Sequence, residues 1–310
     1  MDTRRLSLLD WARAIAILLM VAYHLVYDLN RFAGVGINCE APFWYVIGKT
    51  SALLFIFLSA FCGVLSRHPV RRGFRLLSYG LGISAVTFLF LPDAYVRFGI
   101  LHFLGVALIL SPLLRALPQR LLPIFSFLTG LAGWEIAQLS GPTGLLTGLL
   151  LPFGLKYQGF DSIDYFPLLP YIGVTMLGIY VSKAYLQNRT PLMIHRVDDR
   201  GFSLSKTLSK HSLKIYLIHQ PLILVTFFAW RWILVQRSGP SEQNISTAHA
   251  HLFPLFFMFW QHGGALQKLV THPELLRHSS LFLMLGAWLG VVLILLGLLV
   301  YHFRARRTRE

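Results

Sequence analysis

Residues 8–30 read LLDWARAIAILLMVAYHLVYDLN, an apolar run of spanning length that carries Asp10, Arg13, His24 and Asp28. A hydrocarbon core of about 30 Å takes about 20 apolar residues in a helix, so the stretch is long enough to cross. A charge near the middle of such a helix costs roughly 3 kcal/mol on insertion scales, and ionisable groups at that depth face a cavity and serve a function. At 100° per residue the four side chains fall on one stripe less than about 80° wide, with Leu, Ile, Val and Ala around the rest of the surface. Arg13 and His24 lie nearly in line along it, roughly 16 Å apart at 1.5 Å per residue. The pattern predicts one wall of a polar tunnel through a bilayer.

The rest of the chain agrees with that environment. Its 310 residues are 55% hydrophobic and only 13% charged, and the mean hydropathy is +0.60. That is too apolar for a soluble domain of this length. The net charge of +15 does not point to nucleic acid, because the basic residues fall in short runs between apolar segments, where the positive-inside rule accounts for them. Cys39 and Cys62 form no CxxC and no zinc spacing, so neither redox chemistry nor a metal is expected. The first apolar run has no small-x-small cleavage site and is expected to be retained as a span.

Apolar windows at 7–29, 45–66, 74–91, 98–117, 120–139, 166–187, 212–235 and 279–302 predict an all-α polytopic membrane protein of about eight spans. The segment near 143–153 is short and broken by Gly and Pro, which fits a re-entrant or interfacial piece. Both termini then share one side with Arg4, Arg5, Arg67, Arg71, Arg72, Arg75, Arg115, Arg120, the seven cations from Lys183 to Lys214, and Arg304, Arg306, Arg307 and Arg309. These make 19 of the 28 Lys and Arg. The positive-inside rule makes that side cytoplasmic. Residues 1–310 read as a single integral membrane domain, with an outer loop at about 236–278.

Further ionisable residues fall at helix ends. His102 and Asp164 open the fourth and sixth spans on the outer side, where with His24, Asp28 and Glu135, near the outer end of the fifth span, they would form a cluster suited to proton transfer. His24 stands out because Asp28, four residues on, is placed to accept its ring proton and fix the tautomer. Asp164 can equally cap the helix that follows it. His219, with Gln220 beside it, lies in the seventh span and is expected to line an inner half-tunnel with Arg13. Pro221 follows and loosens the local helix. No phosphate loop, HExxH, G-x-S-x-G or dinucleotide fingerprint occurs.

Arg13, ten residues and His24 resemble the Arg-x10-His signature of membrane acyltransferases of the acyltransferase-3 superfamily, and FIFLSAFCGVLS at 55–66 is similar to the second-span motif of that group. RFGILHFLG at 97–105, DYFPLLPYIGVTMLG at 164–178 and HSLKIYLIHQP at 211–221 are similar to bacterial members of the heparan-α-glucosaminide N-acetyltransferase catalytic-domain family. The resemblance implies an enzyme that moves an acetyl or other acyl group from cytoplasmic acyl-CoA to a sugar hydroxyl or amine across the membrane. Acetyl-CoA would be the co-substrate, an extracytoplasmic glycan or glycolipid the acceptor, and the bacterial inner membrane the location. It implies catalytic roles for His24, Asp28, His102 and Asp164. Arg13, with Asp10, His219 and Gln220, would hold the cofactor. Dimerisation of a lysosomal relative leaves a homodimer open here. The rival reading is a proton-coupled small-solute transporter, which also places ionisable groups at depth but typically shows inverted repeats.

Overall fold

A computed structural model of the chain describes residues 7–33, 36–39, 41–90, 94–187 and 200–237. Over these the protein is almost entirely helical: α1 (Ser7–Ala33), α2 (Pro42–Leu65), α3 (Pro69–Phe90), α4 (Ile100–Ala116), α5 (Leu122–Ala137), α6 (Leu145–Leu150), α7 (Leu168–Gln187), α8 (Arg200–Lys210) and α9 (Ser212–Arg237). Two of them are long and apolar enough to cross a bilayer, α1 over Leu8–Asn30 and α2 over Pro42–Leu65. Ile100–Ala116 and Ser212–Phe227 are shorter apolar helices. The expected span at 279–302 and the outer loop at 236–278 lie outside the described residues.

The chain packs as two compact units, one of residues 1–9 and 52–195 and the other of residues 10–51 and 196–310. In the first, α3 lies along α4, and α5 along α7. Small residues set these crossings by letting the backbones approach closely. A Cβ on Gly105 of α4 would come 2.8 Å from the Leu77 nitrogen of α3, and one on Gly133 of α5 would come 2.5 Å from the Pro170 nitrogen of α7. Ser126 of α5 adds a buried hydroxyl bond of 2.8 Å to the Gly173 carbonyl of α7. α7 does not start as a clean helix. Leu169 is extended (φ −96°, ψ 127°), as the ring of the next residue, Pro170, demands.

The segment near 143–153 does not cross. α6 has six residues, about 9 Å at 1.5 Å per residue, and runs into a 3-10 turn at Leu151–Phe153. A two-residue parallel pairing, Ser140 with Lys156 and Gly141 with Tyr157, closes the excursion. Leu145, Leu146 and Leu149 on it are exposed. Gly154 ends the turn at φ +114°, in the region where a side chain is strained.

Between α3 and α4 the chain is laced to the segment before α7. The Phe166 N–H donates to the Phe98 carbonyl at 2.8 Å and the Ile163 N–H to the Ala94 carbonyl at 3.0 Å. The Arg97 guanidinium lies 4.6 Å from the Tyr95 ring, 5.4 Å from Phe160 and 5.5 Å from Tyr157, a cation held on aromatic faces.

Candidate active site

In the second unit, α1 presents the stripe that its sequence predicts. Asp10 and Asp28 are buried, and Arg13 and His24 half-buried. The start of α2 closes on the helix from one side. A Cβ on Gly48 would meet the Tyr23 ring at 2.9 Å, and the Ser51 hydroxyl donates to the Ala16 carbonyl at 2.8 Å. At the N-terminal end of the stripe Arg13 Nη1 donates to Ser209 Oγ of α8 at 2.7 Å. Ser205 and Ser209, one turn apart on α8, are both buried. Neither appears among the residues expected from the sequence, although SLSKTLSK places two hydroxyls four residues apart on one face of a short helix.

At the other end His24 meets His219 of α9, ring centroids 4.9 Å apart and planes at 61°. This revises the expected place of His219. The sequence places it with Arg13 along an inner half-tunnel, whereas its ring lies against His24, about three helical turns along α1 from Arg13. The reason is tertiary: α9 brings a residue 195 positions later in sequence onto the α1 face. Gln220 follows on α9 and is half-buried.

His219 Nδ1 lies 2.7 Å from the Tyr216 carbonyl and 3.2 Å from that of Ile215. Carbonyl oxygens only accept, so Nδ1 carries the proton and Nε2 the lone pair. That Nε2 is buried and has no hydrogen-bond partner among the described residues.

The expected bond from His24 to Asp28 is not made. His24 Nδ1 and both Asp28 carboxyl oxygens are buried with no hydrogen-bond partner among the described residues. Spacing of four puts the two side chains on one face but does not turn the ring toward the carboxylate. The ring lies against His219 instead.

His102 and Asp164 belong to the other unit. The Ser84 hydroxyl of α3 donates to the Val96 carbonyl and therefore accepts at 3.3 Å from His102 Nε2, which leaves His102 Nδ1 with the lone pair. That nitrogen faces the α3 backbone, where a Cβ on Gly80 would come within 3.0 Å of it. Asp164 Oδ2 accepts the Ile100 N–H at 2.9 Å, so it satisfies a free N–H at the start of α4. Gly99 makes room for the carboxylate, into which a Cβ there would run. Among the described residues no group of three His, Cys, Asp or Glu is placed to hold a metal ion.

The family model for heparan-alpha-glucosaminide N-acetyltransferase, catalytic, matches residues 5–221. The chain belongs to this family. The match contains every side chain described above, from Asp10 to Gln220, and membership makes the chain an acetyltransferase. Transport, the rival reading of ionisable groups at depth, finds no support in the family. No curated protein and no solved structure matches the chain.

Proposed function

We propose that the protein takes an acetyl group from acetyl-CoA bound on the cytoplasmic side and delivers it to a hydroxyl or amine of a glycan or glycolipid on the far side of a bacterial inner membrane. One observation carries the reading: α1 presents a cation at one end of its polar stripe and, at the other, His24 against His219 of α9. A guanidinium is always charged and matches phosphate oxygens bidentately. Arg13, held by Ser209, suits the phosphates of CoA, and Asp10 lies on the same stripe one turn earlier. The roughly 16 Å along the helix from there to His24 is a distance for an extended pantetheine arm to cover. The acid–base work of acyl transfer falls to His24 and His219, with Asp28 beside them.

His102 and Asp164 are proposed to hold their own unit together: His102 Nε2 ties α4 to α3 through Ser84, and Asp164 accepts the Ile100 N–H. Support for the membrane setting comes from α3 and α5, which expose Leu81, Val86, Phe88, Leu89, Ile124, Phe127 and Leu131. Large apolar side chains exposed at this density fit contact with lipid better than contact with water. About eight spans with both termini cytoplasmic, as the basic segments require, complete the arrangement.

The test is acetyl transfer by purified protein, with binding of acetyl-CoA measured alongside. Wild type should acetylate amino-sugar or sugar-hydroxyl acceptors at the expense of acetyl-CoA. Arg13→Ala should weaken acetyl-CoA binding about 10- to 100-fold, as expected for losing a charge-assisted contact worth about 1.5–3 kcal/mol. Wild type that binds acetyl-CoA but transfers nothing, or Arg13→Ala with unchanged affinity, would refute the proposal.

A further inference from the structure

We infer that His219, through Nε2, is the base that takes the acceptor's proton. This inference rests on the acetyl-transfer reading above and assigns the step within it. A general base needs a lone pair on a fixed nitrogen, with its other nitrogen anchored so that the ring neither turns nor changes tautomer. The sequence singles out His24 because Asp28, four residues on, is placed to anchor its ring. In the structure that anchor is missing from His24 and present on His219, whose Nδ1–H is held by the Tyr216 and Ile215 carbonyls at 2.7 and 3.2 Å. The two carbonyls belong to the preceding turn of α9, so the anchor is part of the helix and does not depend on a mobile side chain. They also stabilise the ring once it is charged, since carbonyl dipoles point at the Nδ1–H of the imidazolium. His219 is 7% exposed, and its Nε2 is buried with no hydrogen-bond partner among the described residues. A buried polar atom left unmatched costs free energy, and such atoms call for a ligand or a catalytic role. Its ring meets His24 on one side and Tyr216 on its own helix on the other, at 4.9 and 5.8 Å between centroids.

The step balances as follows. The acceptor nitrogen or oxygen attacks the thioester carbonyl carbon and forms the new C–N or C–O bond. His219 Nε2 takes the proton from the attacking atom, the C–S bond breaks, and the imidazolium returns that proton to the CoA sulfur. The products are the acetylated acceptor and CoA thiol, with His219 neutral again.

The experiment compares His219→Asn with His219→Ala. An asparagine amide places its N–H close to where Nδ1–H stands, so it keeps the bonds to Tyr216 and Ile215 while deleting the basic Nε2. If His219 only ties down its helix, Asn restores what Ala loses. If it is the base, both variants bind acetyl-CoA like wild type, both lose about 10²–10⁴-fold in transfer rate, and added imidazole partly rescues His219→Ala. Transfer by His219→Asn within a few-fold of wild type overturns the base assignment and leaves the acetyltransferase reading standing. Wild type that transfers no acetyl group to amine or hydroxyl acceptors overturns both.

Discussion

His24→Ala is expected to lower acetyl transfer by about 10²–10³-fold, the range for removing a donor aimed at a developing oxyanion, while acetyl-CoA binding stays within a few-fold of wild type. The separation between the two effects follows from α1 itself. The cation proposed to hold the CoA phosphates is about three turns from His24, and it is positioned by Ser209 of α8 rather than by anything near His24. With His219 as base, His24 is the second imidazole of the pair, 4.9 Å away between centroids, and its single ring N–H is proposed to donate to the thioester oxygen as charge develops there. Folding should survive the change, since His24 Nδ1 gives up no hydrogen bond among the described residues. Steady-state rates and an acetyl-CoA titration on the same sample check both halves. Retention of most activity would remove His24 from the chemistry.

Gly133→Ala is expected to be the most damaging single methyl in the 52–195 unit. The added Cβ would stand 2.5 Å from the Pro170 nitrogen and 2.7 Å from its Cα, and backbone cannot swing aside as a side chain does. The α5–α7 crossing must open, at the upper end of the 1–3 kcal/mol typical of overpacking, about 3 kcal/mol. A fall in the thermal midpoint on the order of 10 °C follows for a chain of this size. Gly130→Ala, one turn earlier on α5, is the control. No atom of another described element lies within 4 Å of a Cβ there, and Ala is a better helix former than Gly by up to about 1 kcal/mol. That variant should be neutral or more stable, and equal behaviour of the two would mean that α5 and α7 do not meet at Gly133.

Much of the helical layout was readable because long apolar runs have few other options. The window at 98–117 became Ile100–Ala116, that at 166–187 became Leu168–Gln187, and the broken run near 143–153 became a six-residue helix and a turn. α8 was not readable as a span or a site. It is short, rich in Ser and Lys, and its meaning lies in Ser209 reaching Arg13 across 196 positions. Asp164 shows the same limit. The sequence offers a cap for the next helix, but not the bond its carboxylate accepts from the Ile100 N–H, 64 residues back, which arises because the segments before α4 and α7 pair side by side. The stripe on α1 was legible from the 100° repeat, but the repeat places side chains on a face and leaves their rotamers open. Hence Asp28 was assigned to His24, whereas the structure turns His24 toward His219.

Transfer across a bilayer is the central claim, and sided vesicles test it most directly. Protein reconstituted into sealed vesicles would receive acetyl-labelled acetyl-CoA outside only, with an amino-sugar acceptor trapped inside or, in a parallel sample, added outside. Neither compound crosses the lipid unaided. The account predicts label accumulating on the trapped acceptor, and little on acceptor that shares the outer compartment with the donor. Label appearing only where donor and acceptor share a compartment would contradict it.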